Sequence, residues 1–504
     1  MPELTLYYPD GRTETHRVES GTRLWDAVEP AYRTAPCGGN GRCSKCRVQA
    51  TGCLSEPQEQ EKSLLGDDLL RGWRLACLTR VTGDAEVTLH QTAQLREICA
   101  DGELPPFVRQ PLFARYGAAV DIGTTTLAAQ LYDHDGRRLA QAVAANPQAM
   151  FGADVISRIE KSLAGEREAL MRCIRRGIDG LLAELSASAG VSPSDIDAVV
   201  VTGNTTMLYL LTGRSVDCLA RAPFAADELF GRWAQAGEVE LASVPSARVY
   251  LPRCMSAFVG ADITTALLCS GLCERPDSAL LADIGTNGEL ALWHGGRLRC
   301  CSTAAGPVFE GAGISCGMQG VAGAVSHVLW ENGAVRCRTI GGGEPRGICG
   351  SGIIDAAAVF CGLGIIDETG AFTGGRTDYS LATGVTVTQK DIRMLQLGKS
   401  AVCAGIRTLL EAAGLTPEAL TELSVAGGFG TYLDIRNAAA IGLYPAELEG
   451  KTRVLGNAAL AGAAMLLLAE PYVQKSCALA QQAETVDLST SAVFMAHYVD
   501  CMEF

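Results

Sequence analysis

The sequence predicts an α/β protein of several domains: a small N-terminal β-grasp unit, then a duplicated α/β domain whose halves face each other across a cleft. Three observations lead there. Cys37, Cys43 and Cys46 crowd into the stretch CGGNGRCSKC, with short strand-like segments on either side. The pattern strand, glycine turn, strand in VDIGTTTLAAQL, around Asp121, is written again in ADIGTNGELAL, around Asp283. Finally, 504 residues, 48% of them apolar and 19% charged, suffice for several full cores.

The N-terminal unit is placed at residues 1–90. Residues 4–8 and 13–18 read as two strands around the turn Pro9-Asp10-Gly11. A helix is expected from about Thr22, where Leu24, Ala27, Val28 and Tyr32 recur at helical spacing. The cysteine loop follows, then a strand through Cys46-Arg47-Val48. Three cysteines need a fourth ligand, and Cys53, Cys77 and Cys99 are the nearest candidates. Cys53 lies beyond a strand, where the chain is leaving the loop. Cys77 closes the apolar segment RLAC and can return beside the loop in a compact fold. The expected metal ligands are therefore Cys37, Cys43, Cys46 and Cys77. Glycines 38, 39 and 41 let the backbone wrap tightly and aim N–H groups at sulfur.

Four thiolates also make a structural zinc site, usually from two separated C-x2-C knuckles. Three ligands in one glycine-rich loop with a distant fourth is instead the plant- and adrenodoxin-type pattern. With Arg74-Leu75-Ala76-Cys77, the unit closely resembles the 2Fe–2S ferredoxin family, which implies a 2Fe–2S cluster. Arg42, Lys45 and Arg47 flank the ligands; they read either as a basic rim for an acidic partner or as ordinary solvated charge.

Residues 91–115, with Leu104-Pro105-Pro106 and Pro111, read as a linker. The two halves of the duplicated domain are placed at 116–270 and 271–504, the second with a C-terminal extension. A glycine-tight strand–turn–strand presents backbone N–H groups and hydroxyls to a phosphate. The first turn offers Gly123, Thr124, Thr125 and Thr126, and the second Gly285, Thr286, Asn287 and Gly288. Asp121 and Asp283 end their strands nearby, where they can hold Mg2+ directly or through its waters.

Three further stretches fall in order: FVGADITTALL entering a helix, LSVAGGFG running a buried strand into a Gly-Gly turn, and GNAALAGAAMLLL as a small-residue helix. This five-part order resembles the ASKHA superfamily of kinases, actin and chaperone ATPases, over about residues 116–471. The resemblance implies two ribonuclease-H-like lobes with ATP and Mg2+ between them. It implies that Gly427 and Gly428 let the backbone approach adenosine. It makes Asp121, Asp283 and Asp262 the catalytic candidates, with Asp262 near the metal and the attacking water. Asn204 and Glu310 are further cleft candidates, for which a helix cap or a structural hydrogen bond is the competing reading.

Composition excludes other classes. A net charge of −14 disfavours a nucleic-acid partner. The best uncharged apolar run, residues 457–469, is too short to span a bilayer, so no membrane partner is expected. MPELTLYYPD has acid and aromatics where a signal peptide needs basic and apolar stretches. Twenty cysteines then read as reduced thiols of a cytoplasmic protein. Cys218, Cys361 and Cys403 read as small core residues, as do Cys300 and Cys301. Cys349 reads as part of a glycine-rich turn, and Cys477 and Cys501 as isolated.

Taken together, the four cysteines followed by GNTTM, FVGADI, ADIGTNGE, CSTAAGPVFEGAGISCGM, GICGSGIIDA, QKDIRMLQLGKSAVCAGI and VAGGFG resemble, nearly end to end, the ATP-dependent reductive activators of corrinoid proteins. The resemblance implies a partner, the corrinoid protein of a methyltransferase system, whose inactive Co(II) is reduced to Co(I). It also implies a low-potential electron donor, and the ATPase family suggests a homodimer. Two departures stand out: the inter-domain portion is short, and no cysteine-rich C-terminal ferredoxin follows. The chain has no D-x-H-x-x-G corrinoid motif, so the corrinoid belongs to the partner. Three competing readings are a 2-hydroxyacyl-CoA dehydratase activator, a small-molecule kinase with an accessory cluster, and an ATP-gated redox-sensing binding protein.

Overall fold

Alternating burial sets up the first sheet: in β1 (Glu3–Tyr7), Leu4 and Leu6 are buried while their neighbours face outward. The computed structural model describes residues 1–8, 11–28, 46–89, 102, 104–234, 238–428 and 432–504. β1 pairs antiparallel with β2 (Thr13–Arg17) and parallel with β5 (Val81–Thr88). β3 (Arg47–Leu54) joins β5 to β4 (Trp73–Leu75), giving the mixed order β2-β1-β5-β3-β4 of a β-grasp sheet. The helix expected from Thr22 is a single turn, Leu24–Ala27, that ends at extended Val28; Tyr32 lies outside the described residues, as do Pro9, Asp10, Cys37, Gly38, Gly39, Gly41, Arg42, Cys43, Lys45 and Cys99.

The two duplicated sheets share one topology. In lobe I, β6 (Tyr116–Ile122), β7 (Thr126–Asp133) and β8 (Arg138–Ala145) form an antiparallel meander, and β9 (Ile196–Gly203) lies parallel to β6. β11 (Arg248–Leu251) follows parallel to β9, with β10 (Arg232–Trp233) at the edge. In lobe II the meander is β12 (Ala279–Ile284), β13 (Gly288–His294) and β14 (Arg297–Thr303). A small sheet of β15 (Ala324–Glu331), β16 (Ala334–Thr339) and β17 (Gly347–Ile348) follows, then the hairpin β18 (Asp378–Ala382) and β19 (Val385–Thr388). β20 (Glu422–Ala426) and β21 (Thr452–Gly456) complete the main sheet in parallel, and β22 (Glu484–Thr485) adds an edge. The core orders 8-7-6-9-11 and 14-13-12-20-21 are the same arrangement twice.

Two helices pack between the sheets, Ala261–Ser270 and Ala458–Leu468. They approach so closely at Gly462 that a Cβ there would lie 1.8 Å from the Thr265 carbonyl oxygen. Among the described residues no helix is long and apolar enough to cross a membrane.

Three features add to the sequence expectations. The described part of the supposed linker is docked: Gln110 and Leu112 donate backbone N–H to Leu468 and Leu467, and Phe113 is buried. Its prolines keep it extended, which lets it run along the end of that helix. Next, the chain divides into one compact unit of residues 1–94 and 145–174 and another of 95–144 and 175–504. The stretch 145–174 leaves the sheet where β8 ends and closes on itself, with fully buried Arg158 donating to the Gly152 carbonyl at 3.0 Å. Finally, Cys501 is not isolated but buried beside Cys403. The chain end is pinned to the helix Gln389–Ala412, where Ser400 Oγ and Lys399 Nζ donate to the Cys501 carbonyl at 2.8 and 2.7 Å.

Candidate functional site

In each lobe the first strand of the meander carries an aspartate one residue before its end, Asp121 or Asp283, and the turn that follows is tight for a steric reason. A Cβ on Gly123 would sit 2.8 Å from the Thr126 carbonyl oxygen. In lobe II, Gly285 N–H donates to the Asn287 carbonyl at 2.9 Å to close the turn. β20 reaches the same place: Gly427, at φ +111°, has the Ile284 carbonyl oxygen 2.4 Å from where its Cβ would be. Only glycine fits there.

One cleft is lined by Asp121, Gly123, Thr124, Thr125, Thr126, Asn204, Asp262, Asp283, Gly285, Thr286, Asn287, Glu310, Gly427 and Gly428. Gly288 is not on its wall. It starts β13, and a Cβ there would lie 2.6 Å from Thr303 Oγ1, a packing reason for glycine. Glu310 bridges the two turns: Thr125 Oγ1 donates to one carboxylate oxygen and Thr286 N–H to the other at 3.1 Å. Asn204 plays both parts weighed for it. Its Oδ1 caps the helix Thr205–Thr212 through Met207 N–H, and its Nδ2 donates to Thr124 Oγ1 at 3.3 Å. Asp262 opens the helix Ala261–Ser270, its Oδ1 accepting from Ile263 N–H at 2.9 Å.

Of the cleft residues that the sequence reading did not single out, Asn457 and Glu289 bear on the acids. Asn457 caps the helix Ala458–Leu468 and donates Nδ2 to Asp121 Oδ2 at 3.0 Å. The Gly456-Asn457 pair before an apolar run was a readable cap signal. Glu289 is buried and lines the cleft one residue into β13, opposite Asp283 in the ladder. Only strand register reveals it.

The acids perturb one another. Burial, and after it the neighbouring Asp283 and Asp121, raise Asp262 to about 8. Burial followed by Asp121 and Glu310 raises Asp283 to about 7. Asp121 is raised to about 6 by burial, an effect opposed by its hydrogen bond from Asn457. Glu289 is pushed well up by burial and by the three aspartates. Such a cleft favours protons or cations. Its carboxylate and hydroxyl oxygens are hard donors, which suits a cation such as Mg2+. Among the described residues no three His, Cys, Asp or Glu side chains converge to hold an ion by themselves. The Thr286 hydroxyl, buried and without a protein partner, is a further donor facing the cleft.

In the N-terminal unit the described pair of expected cluster ligands comes together: Cys46 and Cys77 are buried with sulfurs 3.2 Å apart, far beyond the ~2.05 Å of a disulfide. Ala76 N–H donates to the Cys46 carbonyl at 2.9 Å. Fully buried Glu61 anchors the same segment, accepting from Arg74 Nε at 3.0 Å, Leu75 N–H at 2.7 Å and Thr79 Oγ1 at 3.1 Å. Cys53 is exposed at the far end of β3. Two adjacent soft sulfur donors suit an iron–sulfur cluster. Of the basic residues flanking the loop, Arg47 is paired with Asp68 at 2.9 Å.

Residues 277–504 match the family model described as the C-terminal domain of RACo, the ASKHA domain, and residues 116–275 that of the RACo middle region. The corrinoid activation enzyme RamQ of Eubacterium limosum is 35% identical over 416 residues, 76% of this chain and 69% of RamQ. The chain belongs to the reductive activators of corrinoid proteins. Another relative within this family is the [Co(II) methylated amine-specific corrinoid protein] reductase of Methanosarcina barkeri, 26% identical over 430 residues, 76% of each chain. A solved reductive activator for corrinoid, iron–sulfur protein superposes with a TM-score of 0.74 at 27% identity, covering 100% of this chain and 98% of that one. As in that family, the fold is α/β and multidomain, a ferredoxin-type unit followed by an ASKHA ATPase.

Proposed function

We propose that the protein reductively activates the corrinoid protein of a methyltransferase system, using ATP to return its cobalt from inactive Co(II) to Co(I) by one electron from a low-potential donor. The observation that carries this reading is the pairing, in one chain of this family, of a two-lobed acidic cleft with the buried thiols Cys46 and Cys77. The names and activities of the relatives support the corrinoid partner. A 2Fe–2S cluster on Cys37, Cys43, Cys46 and Cys77, when bound, supplies one-electron transfer near about −400 mV. Each further ~59 mV uphill costs about tenfold in equilibrium constant. Coupling to ATP makes up that deficit by favouring a minor, reducible state of the acceptor.

Within the ATPase, the turn N–H groups and the Thr124, Thr125 and Thr126 hydroxyls bind the phosphates. Asp121 and Asp283 hold Mg2+, and Asp262 orients the attacking water. Glu310 occupies the Thr125 hydroxyl and the Thr286 N–H, donors that a phosphate needs, so nucleotide entry displaces it and frees the two turns from each other. The working protein is a homodimer.

Cys77→Ser tests whether the cluster conducts or only senses. The expected variant still hydrolyses ATP but no longer reduces a Co(II) corrinoid protein. Cobalt reduction at the wild-type rate by Cys77→Ser would overturn the electron-transfer role.

A further inference from the structure

Strand register gives the two lobes unequal charge. In the lobe I hairpin Asp121 faces Ala128; in the lobe II hairpin Asp283 faces Glu289, and all four line the cleft. Residues directly opposed in an antiparallel pair point to one face of the sheet, with Cβ atoms about 4.5–5.5 Å apart. Two like charges so placed are destabilising, and burial adds to the cost. Glu289 is only 8% exposed, and no described residue donates a hydrogen bond to its carboxylate. The charged groups acting on it are all acids: Asp262, Asp283 and Asp121. Among the described residues, the wall of the cleft offers no lysine, arginine or histidine in compensation. Beside it, the buried Thr286 hydroxyl also lacks a protein partner. Asp121, by contrast, already shares an oxygen with Asn457. Asp283 and Glu289 are thus two lobe II cleft carboxylates that accept no hydrogen bond from a described residue, on one face, next to the turn assigned to phosphate.

We propose that Asp283 and Glu289 form a cross-strand divalent-cation site on lobe II, with Glu289 binding Mg2+ directly or through one of its waters. This rests on the nucleotide reading of the cleft. Mn2+ titrated into the full-length protein, with free ion read by EPR, tests it with and without ADP; ADP binding in EDTA is measured separately. Glu289→Gln should weaken Mn2+ binding by about tenfold or more, and Glu289→Asp should recover part of the loss. In EDTA the same Gln variant should bind ADP as well as or better than wild type, because a negative charge near the phosphates has gone. Unchanged Mn2+ affinity in Glu289→Gln would overturn the site. So would a parallel loss of Mn2+ and metal-free ADP binding, which marks a structural residue. Wild-type ADP binding in EDTA scores the nucleotide reading by itself, and Mn2+ binding without ADP scores the cation site by itself.

Discussion

Asp262 sits where burial and two other aspartates oppose its ionisation, and this gives a signed consequence for stability. Its folded pKa of about 8 lies above an unfolded value near 3.8, so the native state binds more protons in between. Native stability of the ligand-free protein therefore falls as pH rises from about 4 through about 8. Asp262→Asn removes that penalty. It should raise Tm at pH 8 more than at pH 5, by roughly 2 kcal/mol of extra stability after allowing for partial solvation, while abolishing ATP hydrolysis. Thermal denaturation at both pH values checks it; an equal shift at pH 5 and pH 8 would contradict it. At this scale the sequence displayed Asp121, Asp283 and the threonine turns, because a short motif holds their whole context. Asn457 depends on Asp121, 336 residues away in the chain, and Glu289 on the register of its own hairpin, which sets it opposite Asp283; neither shows in a residue read singly.

Elements carry these residues to one place through close approach. The helix Ala458–Leu468 brings Asn457 to Asp121, and the helix Ala261–Ser270 carries Asp262, so their crossing at Gly462 sets the spacing of two cleft groups. Gly462→Ala puts a methyl group against the Thr265 carbonyl, with no flexible side chain to yield. It should cost at least about 2 kcal/mol and lower ATPase activity along with Tm; an unchanged Tm would contradict the crossing. Both helices and both meanders were legible from apolar patterning and repeated turns. The docking of the linker was not legible, because Leu104-Pro105-Pro106 has a loop's composition and extended chain is also what packs along a helix end. The buried Glu61–Arg74 pair was equally hidden: nothing local indicates that a glutamate on a short helix organises the segment ending in Cys77.

For the whole molecule, the order of motifs carried more than any one of them. Two facing copies of a weak turn motif specified two lobes, and the four-cysteine spacing specified a ferredoxin-type unit. The family then followed from their presence in a single chain, in agreement with the match to RamQ. At this scale patterning marks the helices of residues 145–174 without showing that they contact one another as part of a separate compact unit. The central claim is ATP-dependent delivery of one electron to cobalt. Its most direct test is anaerobic EPR of the titanium-reduced protein mixed with a Co(II) corrinoid protein, with and without Mg-ATP. The account predicts a rhombic 2Fe–2S signal and loss of the Co(II) signal only when ATP is present. Co(II) persisting with several such partners, while the cluster is reduced and ATP is consumed, would contradict it.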